Sequence, residues 1–278
     1  MRSSITLPTE SLTVDVHTHE QYLIQAEHVS LIFPSPTGPM CVLDDVSLRV
    51  KQGEFLCIVG PSGCGKTSLL RILGGLLHPN VGSVRLAGSP LLSPSRSVGF
   101  VFQKANLMPW RTVLQNVTLP LEIEGLEFNE AARRAGELLD LVGLRDYEHA
   151  YPKELSGGMQ QRVTIARALA LNPALLLMDE PFGSLDALNR ERMNMELLRI
   201  WETRRKTIIL VTHSVQEAVL LSDRVLVMNS RPGRIVEEVS ISLPRPRHLE
   251  MQWQDSFGVF VDHIRRVIGC DESFCPPT

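Results

Sequence analysis

One loop constrains this chain more than any other part of its sequence: Gly60-Pro61-Ser62-Gly63-Cys64-Gly65-Lys66-Thr67. It matches the pattern GxxxxGK followed by Ser or Thr, and it stands between an apolar run at 55–59 and a helical pattern that starts at Ser68. Glycines in such a turn let backbone N–H groups point inward around an anion, and the helix start adds a favourable dipole. The pattern predicts a phosphate-binding loop in which Lys66 neutralises phosphate oxygens and Thr67 binds Mg²⁺. The alternative is a glycine-rich turn that matches by chance.

A second signal is a pair of acidic residues at the end of an apolar run. Residues 174–179 read as a buried strand, and Asp179 and Glu180 close it. Because strand ends in such sheets face the ligand crevice, Asp179 suits a magnesium shell and Glu180 suits activation of a water for attack on a phosphate. Such a pair alone is often only a solvated turn, but together with the phosphate loop it favours a site that hydrolyses a nucleotide.

The third signal is the segment at 155–162, Leu-Ser-Gly-Gly-Met-Gln-Gln-Arg. It opens a long helical pattern with Ser156 at an N-cap-like position. Gly157 and Gly158 weaken the start of that helix, which makes sense if another phosphate must approach the backbone closely. An ordinary glycine-weakened helix start is the alternative.

The chain is organised as alternating strand and helix patterns around a helical block. Residues 23–59 are β-rich, the block at 107–172 is helical with Asn129 as a predicted N-cap, and strands alternate with helices from 174 to 229. This alternation predicts a mostly parallel sheet with helices on its faces. In the polar stretch at the N-terminus, the motif at His17 and His19 reads as solvated tail, with a metal site as the less favoured alternative. A docking helix near the C-terminus is predicted from helical spacing of Phe257, Phe260, Val261, Ile264 and Ile268.

The segment at 155–162 resembles the signature of ABC-type ATPases, and the resemblance covers about residues 23–247. Gln103 is similar to the glutamine of the Q-loop, Ser184-Leu185-Asp186 to the D-loop, and His213 to the switch histidine. Phe33 is the best match for the aromatic that stacks on adenine, although a place in the strand core fits it nearly as well. A structural histidine is the alternative for His213.

The resemblance implies an α/β fold with a P-loop NTPase core of the ABC type. This core carries an antiparallel β subdomain and an inserted α-helical subdomain at about 107–172. It lies between an N-terminal tail at 1–22 and a C-terminal helical tail at 248–278. Two such chains are expected to meet head to tail, as a homodimer, and to sandwich two ATP molecules with Mg²⁺.

Roles for individual residues follow from the same resemblance. The implied catalytic residues are Lys66, Gln103, Glu180 and His213. The implied magnesium ligands are Thr67, Gln103 and Asp179. The implied nucleotide-binding residues are Phe33, Gly60, Pro61, Ser62, Gly63, Cys64, Gly65, Lys66, Thr67, Ser68, Ser156, Gly157, Gly158, Gln160 and Asp186. Of these, Ser156, Gly157 and Gly158 are expected to face the γ-phosphate of the nucleotide bound by the partner chain.

Composition narrows the class of partner. The 278 residues include 28 Lys and Arg against 31 Asp and Glu, a net charge of −3 that argues against nucleic acid as a partner. No apolar run of the about 18 residues that would span a membrane is present. Five cysteines without a CxxC pair favour a reducing compartment over a disulfide framework.

One segment narrows the class further. Leu107-Met108-Pro109-Trp110 is similar to importer ATPases of the nitrate, sulfonate and taurine group, as is the stretch at 230–247. This implies a peripheral ATPase on the cytoplasmic face of the inner membrane, with permease subunits as partners and, indirectly, an extracytoplasmic solute-binding protein. Trp110 is either an anchor in the permease contact or a core residue, and the sequence weighs both equally. A soluble ABC ATPase not tied to transport is the alternative function. A nucleotide kinase would share the phosphate loop but not the signature segment.

Overall fold

Two β-sheets organise the chain in the computed structural model, which describes residues 22–36, 38–230 and 232–269. The strands are β1 (Tyr22–Phe33), β2 (Met40–Lys51), β3 (Phe55–Val59), β4 (Val81–Leu86), β5 (Ser89–Pro90), β6 (Val98–Val101), β7 (Leu175–Asp179), β8 (Thr207–Val211), β9 (Arg224–Met228) and β10 (Ile235–Ser240). The α-helices are α1 (Lys66–Leu73), α2 (Val113–Ile123), α3 (Phe128–Leu141), α4 (Gly157–Leu169), α5 (Ala187–Arg204), α6 (Val215–Leu221) and α7 (Asp255–Gly269). Short 3-10 turns lie at Arg145–Tyr147, Pro152–Glu154 and Leu249–Trp253. The predicted tail up to residue 21, with His17 and His19, and the stretch after residue 269 lie outside the described residues.

The larger sheet follows from strands that are apolar along their whole length. Its order is β10-β9-β3-β8-β7-β6, and within the described residues β10 alone runs antiparallel to its neighbour. Every residue of β3, β7 and β8 is buried, as expected for a parallel sheet that helices cover on both faces. The predicted mostly parallel sheet is confirmed. The edge strand β10 was not predicted, because its alternating exposed residues resemble a polar loop.

The smaller sheet is antiparallel, with the order β2-β1-β4-β5, and it packs against the phosphate loop. Gly233 joins the two sheets at this point. Its N–H donates to Val42 O over 3.0 Å, and its carbonyl accepts from Asp44 N over 3.0 Å. A Cβ on Gly233 would lie 2.0 Å from Cys64 O, and a Cβ on Gly65 would lie 2.7 Å from Leu43 Cδ2. The loop is therefore held in shape from outside by close backbone contacts.

Helices fill most of the predicted helical block. α2, α3 and α4, which lie between β6 and β7 in the sequence, pack on one another. Their division into a separate subdomain stays a prediction. The predicted N-cap at Asn129 is wrong, because α3 begins at Phe128. Glu127 caps this helix, and its carboxylate accepts from the backbone N–H groups of Asn129 and Glu130. Across the described part of the chain, no helix is long and apolar enough to cross a membrane.

The predicted C-terminal helix is present as α7, which packs on α6, β9 and β10. Phe257, Val261 and Ile264 form the buried face of this helix, as their helical spacing predicts. Arg247, just before this helix, is itself buried. Its guanidinium donates to carbonyl oxygens at the end of α6, including Val219 O over 2.9 Å. This contact satisfies orphan carbonyls of a short helix and places a cation at its negative end.

The contact between Gly233 and the phosphate loop generates a testable prediction. Gly233→Ala forces a methyl group against Cys64 O, so we expect a loss of about 1–3 kcal/mol of stability and weaker ATP binding. Thermal unfolding and titration with a fluorescent ATP analogue measure the two effects. Gly258→Ala is the control, because a Cβ there meets nothing within 4 Å. Equal behaviour of the two variants would contradict this account of the loop.

Candidate active site

The phosphate loop joins the end of β3 to the start of α1. Gly60, Gly63 and Gly65 have φ angles of +159°, +81° and +93°, and the last two lie in the left-handed region that favours glycine. Lys66 is buried, and its Nζ donates to Gly60 O over 2.8 Å and to Pro61 O over 2.9 Å. The first N–H groups of α1 have no acceptor within the helix. The loop thus offers a cation and several donors together, which is what a polyphosphate requires.

Thr67 and Asp179 link the loop to the end of β7. Thr67 Oγ1 donates to Asp179 Oδ1 over 3.0 Å. Burial raises the pKa of the Asp179 carboxyl, which is only 7% exposed, and the hydrogen bond from Thr67 opposes the rise. A buried carboxylate favours a nearby cation, and carboxylate and hydroxyl oxygens are ligands that Mg²⁺ prefers. The pair therefore fits the predicted magnesium ion.

Two side chains that follow the neighbouring strands β6 and β8 contact the carboxylate of Glu180. Its φ of +43° is uncommon for a residue other than glycine, and its N–H is fixed to Val211 O over 2.9 Å. Gln103 Nε2 donates to Glu180 Oε2 over 3.5 Å, and His213 Nδ1 lies 3.3 Å from the same oxygen. The structure therefore brings three of the four predicted catalytic residues together. A metal contact by Gln103 stays a prediction, since the partner of its amide nitrogen here is Glu180.

Ser156 occupies the predicted N-cap of α4. Its Oγ accepts from Met159 N over 3.3 Å. Ser156 and Gly157 are exposed, and a Cβ on Gly157 would meet Leu185 Cδ2 at 3.7 Å. The signature segment therefore lies next to the predicted D-loop and presents its backbone to solvent.

The three other predicted residues have more ordinary surroundings. Gln160 Nε2 donates to Pro152 O over 2.9 Å, so it also braces the turn before α4. Asp186 is exposed and caps α5, and the hydrogen bonds from Asn189 lower the pKa of its carboxyl. Phe33 ends β1 half-buried against the core of the antiparallel sheet. Because Phe33 is only half-buried, both roles considered for it remain compatible with the structure.

The predicted residues thus fall on two surfaces of the chain. We call one the phosphate face, made by Lys66, Thr67, Gln103, Asp179, Glu180 and His213. We call the other the signature face, made by Ser156, Gly157, Gly158 and Asp186. Contacts join the carboxylates of the phosphate face to Thr67, Gln103 and His213, whereas Ser156 and Asp186 bond within their own helix starts. The structure therefore places the predicted residues in two groups.

Comparison with known proteins identifies the family. The family model described as ABC transporter matches residues 43–183, and a Methanocaldococcus jannaschii protein, an uncharacterised ABC transporter ATP-binding protein, is 52% identical over 81% of this chain and 84% of its own. The chain belongs to the ABC transporter family. A nitrate import ATP-binding protein of Synechococcus elongatus is 40% identical to this ABC ATPase over 90% of each chain. A taurine import ATP-binding protein of Jannaschia is 48% identical over 76% of this chain and 79% of its own.

The fold of a solved ABC protein agrees with this assignment. A dimeric ATP-binding cassette in a post-hydrolysis state, bound to ADP and Pi, matches the ABC ATPase with a TM-score of 0.71 and 33% identity. The match covers 80% of this chain and 100% of that one. The P-loop ABC ATPase fold predicted from the sequence is confirmed.

The structure excludes one of the two interpretations of Trp110, and the permease contact stays a prediction. This side chain is 72% exposed, so it is not part of the core of the ABC ATPase. Leu107 is partly buried and packs on the core instead. Buried Asn116 holds the segment between them. Its side chain accepts from Met108 N over 2.8 Å and donates to the carbonyls of Met108, Arg111 and Thr112.

Sequence reasoning missed a buried polar group behind the phosphate face. Glu217 lies buried next to the segment that carries His213, and Arg190 lies close to it. A signal was available in the sequence. Ser214 and Glu217 have the spacing of a capping box, Ser-x-x-Glu, at the start of the short helix that follows His213.

The environment of Asp179 generates the next prediction. Asp179→Asn keeps the shape of the side chain but removes the charge, so we expect Mg²⁺ to lose its effect on ATP affinity and hydrolysis to fall by about 100-fold. Because burial disfavours the carboxylate, the melting temperature of the nucleotide-free chain should not fall. ATP titration with and without Mg²⁺ measures the first effect, with exposed Asp262→Asn as the control. An unchanged magnesium dependence would show that Asp179 is not a ligand.

Proposed function

We propose that this ABC ATPase is the ATP-hydrolysing subunit of an importer for a small anion. The observation that carries the proposal is the convergence of Gln103 and His213 on the carboxylate of Glu180. That carboxylate directly follows Asp179, whose partner Thr67 stands in the phosphate loop. A base, a cation and a metal-binding pair in one place are the parts that hydrolysis of a phosphoanhydride requires.

The reaction can be described through the residues of the chain. Lys66 and the loop N–H groups bind the β- and γ-phosphates of ATP. Glu180 accepts a proton from the attacking water while the water oxygen bonds to the γ-phosphorus. The bond from that phosphorus to the bridging oxygen breaks, and ADP leaves. His213 holds Glu180 in place and donates toward the γ-phosphate.

Mg²⁺ held by Thr67 and Asp179, with Gln103 as the third proposed ligand, would neutralise charge on the phosphate oxygens. Thr67 comes from the loop and Asp179 from the end of β7, and Gln103 lies just after β6. Phe33 is the proposed adenine contact, because it ends the strand next to the β2 residues that touch the loop.

A second copy of the chain completes each site in this proposal. Ser156, Gly157 and Gly158 are the residues that would reach the γ-phosphate from the partner, with Asp186 beside them. Two observations support this. The signature face is solvent-exposed, and the matched cassette structure is described as dimeric. ATP then stabilises the closed pair and hydrolysis releases it, which is a ligand-driven two-state switch.

The membrane partner is proposed to dock at Trp110. An exposed tryptophan on a braced segment has the properties of an interface hot spot, because little conformational entropy is lost when it is covered. The names of the nitrate and taurine relatives support a role in import. A permease as the partner, a place on the cytoplasmic face of the membrane and delivery of the anion by an extracytoplasmic binding protein complete the proposal.

Replacement of Trp110 tests the proposed coupling. We expect Trp110→Ala to weaken association with the permease by about 10-fold or more and to lower anion uptake, while the isolated subunit still binds ATP. Co-purification and uptake of labelled nitrate and taurine in a strain that lacks the chain are the measurements. Trp253→Ala is a matched control, because Trp253 is also exposed, at 82%, but follows the ATPase core. Equal effects of the two variants, or none, would refute the proposed docking site.

A further inference from the structure

A hydroxyl relay fixes the backbone on both sides of His213. Ser214 N donates to Thr212 Oγ1 over 3.0 Å, and Thr212 Oγ1 donates in turn to Glu217 Oε2. Ser214 Oγ also accepts from Glu217 N over 3.3 Å and caps α6. This is a capping box in which the glutamate reaches the N-cap N–H through the hydroxyl of Thr212 instead of directly.

The Glu217 carboxylate at the end of this relay is buried, which is energetically unfavourable for a charged group. Glu217 is 6% exposed, and its Oε1 has no hydrogen-bond partner among the residues that the structure describes. Asn194 on α5 is also buried, with its Oδ1 unpartnered. Burial raises the pKa of Glu217, and the hydrogen bond from Thr212 and the charge of Arg190 oppose the rise. An exposed serine alone would cap α6 at lower cost, so the buried carboxylate calls for a role beyond capping.

Arg190, which lies near Glu217, connects these buried polar residues to the D-loop. It stands one turn before Asn194 on α5, so both side chains lie on one face of that helix. Its guanidinium donates to Phe182 O over 3.3 Å and to Leu185 O over 2.8 Å. Both carbonyls lie in the turn between Glu180 and Asp186, so one guanidinium holds the backbone of that turn at two points.

We propose that Glu217 is a positioning residue for ATP hydrolysis, which acts through Thr212 on His213 and, with Arg190, ties His213 to the D-loop. The proposal rests on the role given above to His213. Its physical basis is that the buried pair of Thr212 and Glu217 admits few arrangements, so it fixes the backbone on both sides of His213 more closely than a surface loop can.

Kinetics of four variants test the proposal. We expect Glu217→Ala and Thr212→Val each to lower kcat about tenfold with ATP affinity changed less than about twofold, because a small misplacement costs rate and not binding. The double variant should lose little more than either single one, since both break one relay. Glu217→Gln should retain most of the activity, because its amide can accept from Thr212 and donate to Asn194. Exposed neighbour Gln216→Ala is the control.

The outcomes separate this inference from the proposed function. If Glu217→Ala and Thr212→Val lower only the melting temperature, with kcat per folded molecule unchanged, Glu217 is merely structural and the inference is overturned. Additive losses in the double variant would also overturn it, and Thr212→Val, which changes little volume, keeps the test valid if Glu217→Ala does not fold. His213→Ala separates the two claims. If it leaves kcat unchanged, the role of His213 and the inference that rests on it both fail, whereas a loss of kcat in His213→Ala with none in Glu217→Ala overturns the inference alone.

Discussion

The shared carboxyl edge of four neighbouring parallel strands is the constraint on which the rest of the structure depends. β3, β8, β7 and β6 lie side by side, and the residues that follow them are the phosphate loop, His213, the pair Asp179 and Glu180, and Gln103. These groups are far apart in the sequence and meet because a parallel sheet brings all its strand ends to one edge. The consecutive carboxylates of Asp179 and Glu180 thereby meet Thr67 from the loop and Gln103 and His213 from the neighbouring strand ends.

The same constraint explains why the predicted site residues fall on two surfaces of the chain. The sheet edge can gather a cation, a base and metal ligands, but the signature face belongs to a helix start that the sheet does not reach. Within the chain, Leu185 and Arg190 connect the two surfaces mechanically, because they join the turn after Glu180 to the signature segment and to α5. In the proposed function, a change at the γ-phosphate would reach the signature face through these contacts.

Much of this arrangement could be predicted from the sequence, because the fully apolar strands and the glycine-rich loop have few other solutions. The errors and omissions have physical causes. Asn129 was favoured as a cap by residue type, but the Glu127 carboxylate reaches the free N–H groups first. The place of Trp110 depends on the tertiary contacts of Asn116, which no local pattern reveals. The capping-box spacing marks Glu217 as a helix-start residue, but only the fold shows that its carboxylate is buried. The division into subdomains and the roles of the site residues stay predictions.

The oligomeric state of a hydrolysis-deficient chain tests the central claim, that each ATP site is built from two chains, most directly. The measurement is the sedimentation mass of Glu180→Gln with and without ATP. We predict a monomer without nucleotide, a stable dimer with ATP, and a monomer that still binds ATP when Ser156→Arg is added. A Glu180→Gln chain that binds ATP yet stays monomeric at every concentration, or that still hydrolyses ATP at the wild-type rate, would contradict the account.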